Sequence, residues 1–189
     1  MKRLSKSWIA AAVAAFAIFG CSGDINRNTS PIDLVVTNSQ NLNQIDLEPN
    51  AANCNQSIGT ILMQAIVKST SGDNRFNDVR ITSYRVSYIR TDGGHAVPAS
   101  FVRAMDTLIT ANGGSTGLSN FLVFEGDALN QAPFASLLPI NGGRDPETGR
   151  PLVKMDVIVE VFGQTLAGEK VSGSTRFPID FCYHCQGCF

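Results

Sequence analysis

The sequence predicts an all-β fold: an antiparallel β-sandwich of about seven strands in two layers. Three observations predict it. Short apolar segments alternate with polar residues at a period of two, turn-forming Gly, Pro, Asn and Asp residues separate them, and no long segment keeps a helical period. Strands that follow one another without intervening helices favour a sandwich over an α/β fold.

The strongest strand signal is residues 78–94, DVRITSYRVSYIRTDGG. Tyr84, Val86 and Tyr88 alternate with polar residues such as Arg85, so one face of the strand can be buried while the other contacts water. The segment ends at TDGG, which is a strong turn signal.

The remaining predicted elements are weaker individually. Further strands are predicted at 59–69, 103–111, 120–126, 152–163 and 171–181, and the last two read as a long terminal hairpin. The Gly-rich NGGSTG between 111 and 120 predicts a loop, residues 131–140 a short helical turn, and residues 141–151 a second loop. Within the polar, Asn-rich residues 22–50, IDLVV is a candidate first edge strand.

The charged residues on and near these strands have structural interpretations. Arg80, Arg85 and Arg90 lie on the strongest strand and are predicted to form its polar outer face. The segment RDPETGR collects Asp145 and Glu147. It lacks the spaced ligands of a calcium-binding loop, so it predicts a solvated loop.

The N-terminus has the features of an export signal. Lys2, Arg3 and Lys6 precede an apolar run from Trp8 to Phe19, which is the order of charge and hydrophobicity in a secretory signal. The run is shorter than the ~20 residues that a membrane-spanning helix needs. It closes on IFGC, which resembles the bacterial lipobox, in which a peptidase cuts before a lipidated cysteine.

Lipidation of Cys21 predicts a protein anchored to a bacterial membrane, because several acyl chains together hold firmly. Ser22 after the cysteine predicts the outer membrane under the enterobacterial sorting rule. The alternative is an ordinary secretory signal cut near Ala17, which leaves Cys21 as a spare thiol.

These features divide the chain into a signal peptide at 1–20, a lipidated cysteine and flexible tether at 21–50, and a β-sandwich domain with a cysteine-rich tail at 51–189. Loss of the signal peptide takes 15 basic side chains to 12 against 16 acidic ones, so the net charge moves from −1 to about −4. A mildly acidic chain without basic clusters does not fit nucleic-acid binding or a polybasic membrane patch.

Residues 81–93, ITSYRVSYIRTDG, resemble the third strand of a fibronectin type III domain, in which an aromatic residue anchors the core. The combination of DVRITSYRVSYIRTDGGHAVPASF at 78–101 and VKMDVIVEVFGQTLAGEKVSGSTRFPIDF at 153–181 resembles a group of bacterial lipoproteins that have one immunoglobulin-like domain. The resemblance covers most of residues 55–181. It implies an immunoglobulin-like sandwich in the cell envelope, and it implies no particular activity.

Four cysteines remain if Cys21 is lipidated: Cys54, Cys182, Cys185 and Cys188. An exported chain meets an oxidising compartment, so an even number of cysteines predicts disulfide bonds. In a seven-strand sandwich the last strand ends where the second begins, so Cys54 and the tail are expected at one end and the tether at the other. One tail cysteine would then pair with Cys54, and the other two would close a small ring.

Two alternatives use the same tail. The interlocked C-x2-C-x2-C spacing, with one more thiolate, could hold a tetrahedral zinc ion; the candidate ligands are Cys54, Cys182, His184, Cys185 and Cys188. A redox role is less well supported, because no helix follows the C-x2-C pair to lower a thiol pKa. Haem attachment requires histidine where Gln186 stands.

The sequence contains no G-x-S-x-G, H-E-x-x-H or P-loop motif. Its two histidines are His184 and His95, and the latter is predicted in an exposed turn. We therefore expect a non-catalytic, cofactor-free envelope lipoprotein whose immunoglobulin-like domain contacts an unidentified envelope or surface protein. The alternative is a metal-binding or redox accessory lipoprotein that uses Cys54 and the tail.

Overall fold

The structure is a computed structural model that describes residues 30–39, 44–48, 60–68, 74–119 and 121–184. These residues contain eight strands: β1 Ile32–Asn38, β2 Gln44–Asp46, β3 Ile61–Val67, β4 Val79–Arg90, β5 Phe101–Ile109, β6 Asn112–Leu118, β7 Leu152–Thr165 and β8 Lys170–Cys182. Helical structure in the same residues is short: the α-helix α1 Phe134–Leu137, and 3-10 helices at Asn74–Asn77, Gly126–Asn130 and Pro139–Asn141. Within this part of the chain, no helix has the length and apolarity needed to cross a membrane.

The strands form two packed sheets, so the prediction of an all-β sandwich is confirmed. One sheet has the order β1-β3-β6 and the other the order β2-β8-β7-β4-β5. All pairs are antiparallel except β2, which runs parallel to β8. In immunoglobulin lettering, β1-β3-β6 correspond to strands A-B-E of one sheet. In the facing sheet, β8-β7-β4 correspond to strands G-F-C. That is the immunoglobulin arrangement.

The sandwich has two ends, which we name by the chain segments they contain. The hairpin pole contains the turn between β7 and β8, where Val79 pairs with Thr165. The C-terminal pole contains the end of β8, where Cys182 pairs with Leu152. The two ends are separated by the 14 residues of β7, or about 45 Å at ~3.3 Å per residue.

The core lies between the sheets and is filled by the inward-facing residues of each strand. Along β7, alternate residues are buried from Val153 to Val161, as the predicted alternation requires. Tyr88 donates a hydrogen bond from its hydroxyl to the carbonyl oxygen of Val123 at 2.6 Å. Burial raises the pKa of Tyr88 far above its ordinary value, which keeps this donor protonated. Gly173 allows the two sheets to approach, since any Cβ there would overlap the Leu34 carbonyl oxygen.

Two predicted elements near residues 112–126 are wrong. The Gly-rich segment predicted as a loop is strand β6, which pairs with β3 through its backbone. The segment predicted as a strand at 120–126 forms no strand among its described residues. Its apolar character has another cause: Phe121, Val123 and Phe124 are buried in the core. Phe124 packs against Phe134 of α1 with ring centroids 5.1 Å apart.

The sandwich also begins earlier than the predicted boundary at residue 51. The candidate edge strand IDLVV is confirmed as part of β1, which lies at the edge of its sheet. Strand β2 follows it at the edge of the other sheet. Both strands lie within the segment predicted as a tether. The composition of that segment is polar because residues such as Asp33 and Thr37 face outward, whereas Ile32, Leu34 and Val36 are buried.

Candidate functional site at the C-terminal pole

The cysteine tail begins at the buried end of β8. Cys182 is buried and pairs in parallel register with Asp46 of β2. The carbonyl oxygen of Cys182 accepts a hydrogen bond from the backbone N–H of Leu47 at 2.8 Å, and its Sγ accepts one from Gln44 Nε2 at 2.8 Å. The short strand β2 therefore holds the beginning of the tail against the sheet.

His184 lies two residues further on, and its contacts are with carboxylates. Its backbone N–H donates to Asp46 Oδ1 at 3.2 Å, and its imidazole Nδ1 lies 3.0 Å from Glu48 Oε2. The side chain is largely exposed, and Tyr183 packs edge-on against its ring. The structure thus brings together Cys182, His184 and the residues that follow β2.

The other predicted site residues, Cys21, Cys54, Cys185 and Cys188, lie outside the described residues. Among the described residues, no group of three or more His, Cys, Asp or Glu side chains is arranged to hold a metal ion. The zinc alternative stays a prediction, since three of its four thiolates belong to undescribed positions.

A second feature of this pole was missed by sequence reasoning: a buried cluster of charges around Arg90. The Arg90 side chain is 2% exposed and Asp92 is fully buried. Arg90 Nε donates to Asp92 Oδ1 at 2.7 Å and Nη2 to Asp92 Oδ2 at 3.0 Å, which is the bidentate geometry of a strong ion pair. Arg90 Nη2 also donates to Asp145 Oδ2 at 2.8 Å.

The cluster joins two loops of the C-terminal pole. Asp145 accepts hydrogen bonds from the backbone N–H and hydroxyl of Thr148, which fold its own loop. Glu147 Oε2 accepts from the backbone N–H groups of His95 and Ala96 at 2.6 and 2.9 Å. The loop that follows β4 is therefore fastened to the loop that precedes β7. We call Arg90, Asp92, Asp145 and Glu147 the Arg90 cluster.

The prediction that Arg90 lies on the outer face and Asp145 in a solvated loop is wrong. Asp145 is 1% exposed, and its Oδ1 is buried without a hydrogen-bond partner. The sequence did contain the signal for Arg90, because it is in phase with the inward-facing Tyr84, Val86 and Tyr88. Its charge argued for the outside, but Arg90 is paired inside by the neighbouring Asp92 and by Asp145, which lies in a loop 55 residues away. Pairing of the buried charges outweighs the preference of an unpaired one for water.

The other two arginines of the strand are where the sequence predicts them. Arg80 forms an exposed bidentate pair with Asp106 of β5, and Arg85 pairs with Glu160 of β7. Both pairs connect neighbouring strands on the outer face. His95 is also exposed as predicted.

The carboxylates of the cluster are stabilised in their ionised form. Burial favours the neutral acid, but hydrogen bonds from Arg90 and from the backbone N–H groups of Lys154 and Gly94 hold the pKa of Asp92 at about 2. For Asp145, the same opposition between burial and hydrogen bonds from Arg90 and Thr148 leaves a lowered pKa. The cluster is built to stay charged at neutral pH.

We predict that this cluster makes the domain sensitive to strong acid. A carboxylate whose pKa is lowered on folding stabilises the protein above its unfolded pKa and loses that contribution as the pH falls through the folded value. Asp92 should contribute about 2 kcal/mol at pH 6 that disappears between about pH 4 and pH 2. Urea unfolding over this range measures it, and Asp92→Asn should show a shallower loss. Equal slopes in the two proteins would contradict the assignment.

No family model, curated protein or solved structure matches this chain. The site must therefore be interpreted from its own chemistry. Among the described residues, the C-terminal pole offers fastened loops, ion pairs and a large exposed apolar side chain, Ile140.

Proposed function

We propose that this protein is a non-catalytic, lipid-anchored protein of the bacterial cell envelope that presents the C-terminal pole of its sandwich to an envelope or surface protein. The observation that carries the proposal is the opposite placement of the chain's entry and exit. Ile32, the first residue of β1, pairs with Val67 at the hairpin pole, whereas β8 ends at Cys182 at the other pole. With Cys21 lipidated, the membrane lies on the hairpin side.

The course of the chain supports this polarity. The 3-10 helix Asn74–Asn77 leads into β4, and the backbone N–H of Leu166 donates to the Asp78 carbonyl oxygen at 2.9 Å, so the start of β4 lies beside the β7–β8 turn. The end of β3 lies at the same pole, because it pairs with the start of β1 and Leu34 of β1 lies against Gly173 near the start of β8. If the domain is attached to the membrane through the hairpin pole, the C-terminal pole lies about 45 Å from that attachment point.

The loops of the C-terminal pole suit a binding surface because they are already fixed. The Arg90 cluster fastens the loop after β4 to the loop before β7, and α1 packs Phe134 against Phe181 with ring centroids 4.8 Å apart. Fixed loops lose little conformational entropy when a partner binds. Ile140, between α1 and the cluster, is 90% exposed and is the large apolar anchor of this surface.

Disulfide bonds at this pole are part of the same proposal. Glu48 and Thr60, the described residues on either side of Cys54, both lie at the C-terminal pole: Glu48 contacts His184, and Thr60 precedes β3 and hydrogen bonds to Ser39. The positions of Glu48 and Thr60 support a structural pairing between Cys54 and the tail. The proposal also includes a relationship between this chain and bacterial lipoproteins that have one immunoglobulin-like domain.

The experiment that tests the proposal is capture of partners from detergent-solubilised membranes. We expect Ile140→Asp to lose the captured protein, because a buried carboxylate at the centre of an apolar contact is costly. The matched control is Leu108→Asp, which places the same charge on another exposed apolar residue, near the hairpin pole. Equal capture by Ile140→Asp and the unchanged protein would contradict presentation of the C-terminal pole.

A further inference from the structure

The hairpin pole carries two exposed apolar side chains that the proposed function does not use. Phe76, in the 3-10 helix Asn74–Asn77, is 64% exposed, and Leu166, in the β7–β8 turn, is 54% exposed. We propose that Phe76 and Leu166 form an apolar tip that contacts the lipid surface of the membrane to which the chain is anchored. The inference rests on the proposed lipid anchor and deepens it.

The two side chains belong to one connected structure. The Phe76 carbonyl oxygen accepts a hydrogen bond from the backbone N–H of Ala167 at 3.1 Å, and the Asp78 carbonyl oxygen accepts one from Leu166 at 2.9 Å. These bonds hold the 3-10 helix beside the β7–β8 turn. A phenylalanine and a leucine held in adjacent turns at the end of a rigid sandwich resemble the apolar face of an interfacial anchor.

The position of the chain's entry selects lipid as the partner. The Pro31 carbonyl oxygen accepts a hydrogen bond from Lys68 at 2.8 Å, so the chain reaches β1 at the hairpin pole. Cys21 precedes Ile32 by eleven positions, which span at most about 40 Å when fully extended. The lipidated cysteine can therefore lie no farther than this from β1, and the tip is on the side of the bilayer.

Among the described residues, the charges near the tip are balanced. Lys68 pairs with Asp33 at 3.1 Å, Arg75 and Asp78 lie on either side of Phe76, and the turn that carries Leu166 continues into Glu169 and Lys170. Without an excess of basic side chains, attraction to anionic headgroups contributes little. We therefore expect contact through apolar burial, with neutral phosphatidylcholine sufficient as the lipid.

A single tryptophan reports on this contact. The only tryptophan of the chain is Trp8, which is absent after residues 1–20 are removed, so Phe76→Trp provides a unique fluorophore. The lipidated variant, which begins at Cys21, is placed on phosphatidylcholine vesicles with brominated acyl chains. We expect its emission to shift to shorter wavelength and to be quenched. Ile140→Trp, at the C-terminal pole, is the matched control and should remain unquenched.

Vesicle flotation separates this inference from the anchor on which it rests. If the protein does not float with the vesicles, the proposal of a lipid anchor is wrong, and the proposal of an apolar tip, which depends on it, is wrong as well. If the vesicles carry the protein and the Phe76→Trp emission matches that of the unlipidated chain in buffer, only the apolar tip is overturned. Stronger quenching at Ile140→Trp would also overturn it. Leu166→Trp serves as the second probe if Phe76→Trp does not fold, and it carries the same expectation.

Discussion

Replacing Cys21 with serine is expected to move the protein from the membrane fraction into the soluble fraction of the cell. The serine hydroxyl cannot take the place of the thiol that the proposed lipidation requires, and the described domain carries no helix that crosses a membrane. Several acyl chains give stable attachment, so their loss should release most of the protein rather than a fraction. Fractionation of cells followed by immunoblotting measures the change.

The matched control for this experiment is Ser22→Ala, which changes the neighbouring residue and keeps the thiol. It should remain with the membrane. Cys21→Ser should also keep the melting temperature of the domain, because β1 begins eleven positions later. Retention on membranes of folded Cys21→Ser from which residues 1–20 have been removed would contradict lipidation.

The second large effect is expected at Arg90. Arg90→Leu removes the cation that compensates Asp92 and Asp145, and breaking a buried ion pair by removing one partner costs about 3–5 kcal/mol. In a domain of this size, that corresponds to a fall in Tm on the order of 10 °C. Arg85→Leu is the matched control: its pair with Glu160 is exposed, so its loss should cost about 0–1 kcal/mol.

The pH dependence identifies the cause of the Arg90 effect. In the unchanged protein, the lowered pKa of Asp92 makes stability fall as the pH drops. Without Arg90, Asp92 loses its strongest hydrogen bonds while its burial remains, so the pKa of this carboxylate rises. The destabilisation caused by Arg90→Leu should therefore become smaller as the pH falls toward the acid range in which the unchanged protein loses stability. A loss of stability that is constant with pH would point to packing rather than to the uncompensated carboxylates.

The sequence predicted those parts of the fold that depend on local pattern. Alternation along 78–94 and 152–163 marked β4 and β7 because both strands have one buried face. It failed at β6, where Gly113, Gly114 and Gly117 show no alternation and pairing with β3 decides the structure. At 121–124 the apolar pattern predicted a strand where the structure has none. These residues are apolar because they are buried in the core, which does not require a strand.

For the candidate site, the sequence indicates only what is local. The tail cysteines are visible in the sequence, and a sandwich fold predicts that they lie at the end where β3 begins. The Arg90 cluster is local only in part: Asp92 is two residues from Arg90, but Asp145 is 55 residues away. A single sequence does not indicate which of 16 acidic residues will pair with a given arginine. The charge of Arg90 therefore led to the prediction that it lies on the protein surface.

The most direct test of this account is the state of the four cysteines in protein purified from the bacterial envelope. The account predicts no free thiol among Cys54, Cys182, Cys185 and Cys188, no bound metal, and a disulfide-linked proteolytic peptide that joins the segment around Cys54 to the tail. Thiol titration, elemental analysis and mass spectrometry measure these quantities. Free thiols together with about one zinc or iron per chain, as a four-thiolate site requires, would contradict it.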